Sequence, residues 1–341
     1  MRLRTFLLVG ALAVSGCSVG AGGDDSGGRK VVLVTHDSFA MSDDVLKKFT
    51  DDTGITIDVR KLGDAGALTN QLVLTKGSPI GDVAYGVDTT FASRALDEDV
   101  FAAYAPDVDG PADYAIDDTH RLTAVDIGDV CLNIDPAALK AKGVPEPAGY
   151  ADLVKPEYKD MLVVEDPATS SPGLAYLLGT IAKLGDGWQD HWRALKANGV
   201  QVVSGWEEAY TQEFSGSSGK GPRPIVVSYA SSPSAELDDQ GNPRTKAVLG
   251  TCFRQVEYAG VLKGAAHGDD AKKVMDFLLS EQFQSQVPEQ MYVYPARAGV
   301  ALPEAWQKAA PLPSDSAELP PAEIQQNRER WIGEWRAIVQ G

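Results

Sequence analysis

In the first part of the chain, segments with the apolar pattern of a strand alternate with segments whose apolar residues have the spacing of a helix. Short apolar runs typical of buried strands occupy residues 31–34, 55–59 and 82–85, and apolar residues at helical spacing fill the two intervals between them. This order predicts a β-α-β-α-β unit, and therefore a parallel sheet with right-handed crossovers.

A second unit of the same kind begins near residue 160. Its strands are predicted at residues 161–164, 200–203 and 225–228, with helices after the first of them. Ser170 and Pro172 suit the cap and the first turn of the first of these helices. A chain of this length with two such units predicts an α/β protein of two lobes, each a mostly parallel sheet flanked by helices.

Two extended apolar segments, residues 122–134 and 252–262, are placed to carry the chain from one lobe to the other and back. They predict a two-strand hinge. Cys131 and Cys252 lie one on each segment, so an oxidising compartment favours a disulfide between them, and two buried free thiols are the alternative. The expected division is lobe 1 at residues 31–126 plus 257–300, lobe 2 at 127–256, and a C-terminal helical segment at 301–341.

The amino terminus has the pattern of an export signal. Two arginines precede an apolar run too short to span a bilayer, and the run ends in small residues before Cys17. That ending resembles a bacterial lipobox and predicts a signal peptide at residues 1–16 and lipidation of Cys17. The Gly-, Ser- and Asp-rich residues 17–30 then read as a flexible tether. We therefore expect an extracytoplasmic, lipid-anchored protein, with a plain signal peptide as the alternative.

Composition and motifs narrow the function. The formal net charge is −17, and its acidic residues are scattered, which argues against nucleic acid as a partner and is compatible with a cationic ligand. No G-x-S-x-G elbow follows a predicted strand, because the match at residues 16–20 lies at the end of the leader. The sequence lacks H-E-x-x-H, P-loop and G-x-G-x-x-G motifs, and its four histidines fall at no metal-ligand spacing. We expect a binding protein without catalytic residues, metal or cofactor; an extracellular hydrolase is the alternative from another class.

Carboxylates and aromatic rings follow the predicted strands. Asp37, Asp64 and Asp88 come after the three strands of the first unit, and Trp206 and Tyr229 come after strands of the second. Ligands of open parallel sheets bind at the carboxyl ends of the strands. Rings that face carboxylates suit a flat cation, because each desolvated ring contributes cation-π attraction of about 0.5 to 2 kcal/mol.

Several runs resemble those of the thiamine-binding proteins of bacterial ABC importers. In chain order they are THDSF at 35–39, GVD at 86–88, EDPATSSPGL at 165–174, GWEEAY at 205–210, VSY at 227–229, QVE at 255–257 and YP at 294–295. The resemblance implies a type II periplasmic-binding-protein fold that closes on thiamine or a thiamine phosphate and delivers it to a membrane permease. It implies a protein that is not an enzyme, and a monomer is expected because both lobes must face the permease.

The resemblance also implies a ligand site. The helix N-terminus at residues 170–173 suits a phosphate or hydroxyl, a reading that exposed N–H groups support independently. The chain departs from the family pattern at His36, Met41, Ala235 and Tyr292, each in the place of an aromatic residue, so a related pyrimidine or thiazole, or another cation such as a polyamine, stays open. The expected ligand-binding residues are His36, Asp37, Ser38, Asp64, Asp88, Ser170, Ser171, Gly173, Trp206, Tyr229 and Tyr292.

Overall fold

The computed structural model describes residues 29–341. The expected signal peptide, the lipidation site Cys17 and the tether up to residue 28 lie outside the described residues. The first strand begins at Arg29, where the chain pairs with Ile55, and Lys30 pairs with Thr56. The strand therefore includes the last two residues of the segment expected as a tether.

The described chain contains ten strands that form one continuous curled sheet. They are β1 (Arg29–Thr35), β2 (Ile55–Lys61), β3 (Val83–Asp88), β4 (Phe101–Ala102), β5 (Thr123–Ile134), β6 (Leu162–Glu165), β7 (Gln201–Val203), β8 (Ile225–Tyr229), β9 (Lys246–Leu262) and β10 (Tyr294–Pro295).

Two parallel blocks lie at the two ends of this sheet. The order is β2-β1-β3-β9-β5-β8-β6-β7, in which β2, β1 and β3 are parallel, as are β8, β6 and β7. The long strands β5 and β9 run antiparallel between the blocks and pair with each other along most of their length. The two lobes predicted from the sequence therefore meet through two shared strands.

The helices cover both faces of the sheet. They are α1 (Asp43–Thr53), α2 (Ala65–Leu74), α3 (Ala92–Asp97), α4 (Pro136–Ala141), α5 (Ser171–Leu184), α6 (Trp188–Ala197), α7 (Trp206–Glu208), α8 (Gly268–Leu278), α9 (Glu281–Gln284), α10 (Val287–Gln290), α11 (Trp306–Ala309) and α12 (Pro321–Val339). A π-helical turn, Ala209–Glu213, continues α7. Among residues 29–341 no helix is both long and apolar enough to cross a bilayer.

The C-terminal helix α12 contacts both lobes. The indole of Trp335 meets that of Trp192 on α6 edge to face at 5.5 Å, deep in the core around α5. Two turns earlier on the same face of α12, the guanidinium of Arg328 donates to Ser93 Oγ on α3 at 3.3 Å. Trp331 and Trp335 of this helix are both buried in that core.

A disulfide joins the two crossing strands. Cys131 on β5 and Cys252 on β9 are bonded and fully buried, and their Cα atoms lie 4.2 Å apart. The strand register shifts between Val130 and Leu132, beside Cys131. The covalent bond therefore lies where the chain passes between the lobes.

Candidate functional site

A cleft of about 170 Å³ opens between the two parallel blocks. Of the residues expected at the ligand site, it is lined by His36, Ser38, Asp64, Trp206, Tyr229 and Tyr292. The other lining residues are Pro172, Tyr210, Thr211, Ser217, Ser218, Ser232, Ala235, Glu236, Glu257, Met291 and Val293. The wall thus combines aromatic rings, hydroxyls and carboxylates.

Asp64 connects the two walls of the cleft. Its Oδ1 accepts the N–H of Ala65 at 2.6 Å and so caps α2. The same oxygen lies 3.4 Å from the backbone nitrogen of Ser171 at the start of α5, and Oδ2 accepts the N–H of Trp206 at 3.0 Å. One carboxylate therefore holds a helix of the first lobe against two segments of the second, and the cleft is closed.

His36 and Glu257 form an ion pair on the first wall. The His36 Nε2 atom lies 3.3 Å from Oε2 of Glu257, within ion-pair distance but without good hydrogen-bond geometry. Burial disfavours the imidazolium, yet the carboxylates of Glu257, Asp64 and Asp37 together outweigh it and raise the pKa of His36. The pair neutralises part of the negative charge of the wall.

A buried chain of hydrogen bonds runs behind the cleft from one lobe to the other. Gln255 Nε2 donates to Ser171 Oγ at 2.9 Å and to Glu257 Oε1 at 3.2 Å. Ser171 Oγ donates in turn to Asp88, which also accepts from Thr90. These polar side chains tie β3 and β9 to the beginning of α5.

Buried carboxyl groups surround this chain. Burial raises the pKa of Asp88 to about 7, against the hydrogen bonds from Ser171 and Thr90. Burial also raises the pKa of Asp126, which accepts from Tyr85, and of Glu165. Such carboxyls hold a proton more firmly than exposed ones, so the charge at the cleft comes chiefly from the lining carboxylates.

The second wall is a cluster of aromatic rings. Trp206 stacks on Tyr210 with ring centroids 5.0 Å apart and planes 14° apart, and it meets Tyr229 edge to face at 6.4 Å. Its indole N–H donates to Ser228 Oγ at 2.8 Å. These contacts fix the orientation of the Trp206 ring at the cleft surface, so little side-chain entropy is left to lose on binding.

Tyr292 lies at the mouth of the cleft. It has a positive φ of 56°, and its side chain is 37% exposed. Its carbonyl accepts from Ser231 Oγ, a bond that connects the loop before β10 to the loop after β8. Ala235 and Met41 also stand where the family pattern has aromatic residues. Ala235 lies on the cleft wall, whereas Met41 packs against the core of the first lobe.

Five expected site residues do not line the cleft, for identifiable reasons. Asp37 accepts the N–H of Gly63 at 2.8 Å and holds its own loop, while Asp88 is fully buried as the last residue of β3 instead of lying in a loop. Ser170 caps α5 by accepting from Gly173 N at 3.4 Å. Ser171 is turned toward Asp88, and Gly173 is so close to β6 that a Cβ there would lie 2.5 Å from the carbonyl oxygen of Glu165.

Glu257, Glu236 and Tyr210 line the cleft but were not expected as site residues. Glu257 lies on β9, where three polar positions at residues 254, 255 and 257 interrupt an apolar strand, and that interruption was the available signal. Glu236 follows a short 3-10 turn and pairs with Arg244 at 2.8 Å. Tyr210 reaches the wall because the helix after Trp206 widens into a π turn, which the sequence does not reveal.

The fold and the cleft define a two-lobed solute-binding protein, and comparison with known proteins agrees. Residues 78–318 match the model of the family described as bacterial extracellular solute-binding protein. The chain belongs to this family. Because the family consists of binding proteins, it favours the expected binding role over a hydrolase.

The chain is also similar to particular members. It is 29% identical over 350 residues to a thiamine-binding periplasmic protein of Brucella abortus, covering 99% of both chains. It is 29% identical over 318 residues to the thiamine-binding periplasmic protein of Escherichia coli, covering 91% of this chain and 93% of that one. A solved periplasmic thiamin binding protein superposes with a TM-score of 0.79 at 28% identity, covering 91% of this chain and 96% of that chain.

Proposed function

We propose that this protein captures thiamine in the cleft outside the cytoplasm and delivers it to an ABC import permease. The observation that carries the proposal is the pairing of a stacked indole, Trp206, with the carboxylates of Asp64 and Glu257 in one closed cleft. Thiamine is a thiazolium cation joined to a flat aminopyrimidine. Rings suit both heterocycles, and carboxylates balance the positive charge. The similarity to proteins named for thiamine binding supports the same ligand.

The proposed mechanism is closure of the lobes around the ligand, with no bond made or broken. β5 and β9 supply the hinge between lobe 1 (residues 31–126 and 257–300) and lobe 2 (residues 127–256). Opening has to break the bonds from Asp64 to the second lobe, together with polar contacts such as Arg328 to Ser93. A ligand that touches both walls favours the closed state by its differential affinity for it.

We further propose that Cys17 carries the lipid anchor and that the protein acts as a monomer. Cys17 lies outside the described residues, so this part rests on the lipobox-like ending of the leader. Intact-mass measurement of the membrane-extracted protein tests it. A diacylglyceryl mass on a chain starting at Cys17 is expected, and an unmodified chain would contradict the anchor.

Isothermal titration of the full-length protein in detergent tests the ligand. Thiamine should bind one to one with an affinity that survives an excess of spermidine, a cation without aromatic rings. Glu257→Gln should weaken thiamine binding, because it removes a lining carboxylate while keeping the shape of the side chain. Heat from spermidine but none from thiamine would contradict the proposed ligand and favour a polyamine.

A further inference from the structure

We propose that His36 couples capture of the cationic ligand to release of a proton, so that the protein binds thiamine more tightly as the pH rises through neutrality. This inference rests on the proposed function and goes beyond it, because it concerns a proton exchanged with the ligand and not the identity of the ligand. His36 stands where the family pattern has an aromatic residue, so the resemblance does not imply the coupling.

The ring of His36 is held in place against the first wall of the cleft. It packs on the backbone of β3 at Gly86, where an added Cβ would lie 2.2 Å from the Cδ2 atom of the ring. Gly86 has a positive φ of 103° and lies at the shift in register between β3 and β9. The ring centroid also lies 5.6 Å from that of Tyr85. These contacts hold the Nε2 atom 3.3 Å from Oε2 of Glu257.

The proton on Nε2 has an ion-pair partner but no hydrogen bond. His36 is almost fully buried, and among the described residues Nε2 finds no acceptor with hydrogen-bond geometry. The carboxylates of Glu257, Asp64 and Asp37 support the imidazolium and raise its pKa above the ordinary value of 6.5. A positive ligand beside these carboxylates offsets part of their charge, weakens that support and favours loss of the proton.

His36 is the group that brings positive charge to this cleft. Among the lining residues that the structure describes there is no Lys or Arg, whereas Asp64, Glu236 and Glu257 all line it. A cationic ligand therefore meets either an imidazolium paired with Glu257 or a neutral ring beside an unpaired carboxylate. Like charges in one cleft repel, so the ligand binds the second form more tightly. By linkage, binding of the ligand then releases a proton.

Other groups near His36 also titrate. Tyr85 lies beside the ring and donates to Asp126, and burial raises the pKa of both above their usual ranges. Asp88, which lies behind the cleft, has a pKa of about 7. Replacement of His36 leaves all three in place, so comparison of His36 variants with wild type isolates the contribution of His36.

The test is isothermal titration of the full-length protein with thiamine from about pH 6 to about pH 8.5, in two buffers of different ionisation enthalpy. The dissociation constant should fall at least about threefold over this range, and the difference in heat between the buffers should show release of up to about one proton per thiamine. His36→Tyr keeps a ring, His36→Gln keeps an amide donor, and neither side chain titrates near neutral pH. Both variants should lose most of the pH dependence and of the proton release.

His120→Asn is the matched control. His120 is an exposed histidine outside the cleft with a positive φ of 55°, a conformation that Asn adopts readily. Its pH dependence and proton release should equal those of wild type. A wild-type dissociation constant that stays constant or rises with pH would overturn the inference and leave the proposed function intact, as would equal pH dependence in wild type and both His36 variants. Absence of heat from thiamine at every pH would overturn both.

Discussion

Replacement of Trp206 by Ala is the perturbation that the cleft geometry makes most informative. The indole lines the cleft, stacks on Tyr210 at 5.0 Å and is oriented by its bond to Ser228 Oγ at 2.8 Å. The substitution removes a ring surface from the proposed ligand site and leaves Tyr210 and Tyr229 in place. Affinity for thiamine should therefore fall without being abolished.

The expected loss follows from the two interactions that the Trp206 ring can make. A desolvated cation-π contact contributes about 0.5 to 2 kcal/mol, and stacking of aromatic rings about 0.5 to 1.5 kcal/mol. Loss of both corresponds to about 1 to 3.5 kcal/mol, or a dissociation constant raised roughly 5- to 400-fold. Loss of the indole hydrogen bond costs the fold about 0.5 to 1.5 kcal/mol as well, so Tm should drop by a few degrees.

The assay is isothermal titration of thiamine, accompanied by thermal unfolding of each variant. Trp206→Phe keeps a ring but loses the indole N–H, so its affinity should lie between those of wild type and Trp206→Ala. Tyr104→Ala is a matched control, because Tyr104 is a partly buried ring outside the cleft whose hydroxyl donates to Asp276 at 2.7 Å. Its affinity for thiamine should be unchanged.

Unchanged affinity in folded Trp206→Ala protein would refute the assignment of the second wall. Equal weakening in Tyr104→Ala would also refute it, because the effect would then follow general destabilisation and not loss of a contact.

Three further predictions concern the interior around the cleft and the hinge. Burial raises the pKa of Asp88 to about 7 from an ordinary value of 3.8, so the folded state retains a proton that the unfolded state releases. The free energy of unfolding should therefore fall as the pH rises from about 4 to about 7, by up to about 1.4 kcal/mol per pH unit. In urea unfolding, Asp88→Asn should show a smaller pH slope over that range, and identical slopes would contradict the shifted pKa. The double variant Cys131→Ala, Cys252→Ala opens a loop spanning 121 residues. Because the unfolded chain gains conformational entropy, the free energy of unfolding should fall by about 4 to 5 kcal/mol. Equal urea midpoints of the oxidised wild type and the variant would contradict the disulfide. Glu257→Gln should lower the pKa of His36, because it removes the nearest carboxylate. NMR titration of the imidazole ring measures this pKa, and an unchanged value would contradict the ion pair between the two residues.

The sequence pattern predicted the order of elements well because burial imposes the periods of strands and helices locally. The parallel units, the Ser170 cap and the crossing strands with their cysteines all follow from such local or near-local signals. The sequence placed Asp88 in the loop after a strand at residues 82–85, whereas β3 continues through Asp88. Whether its carboxyl faced the cleft or the interior depended on pairing between β3 and β9, which brings together residues about 170 positions apart.

Long-range packing also explains the parts of the site that the sequence did not reveal. Glu257 joins the wall because β9 runs beside β3, and its contact with His36 crosses most of the chain length. Asp64 was expected at the site as a ligand contact, but its position against Ser171 N arises only when the lobes close. Local propensity contains no information about a contact between two lobes.

A crystal structure of the protein grown with saturating thiamine tests the central claim most directly. The account predicts one thiamine molecule between the lobes, with a heterocycle against the Trp206 ring and positive charge near Asp64 or Glu257. Thiamine bound elsewhere, or a cleft without ligand while titration shows saturation, would contradict it.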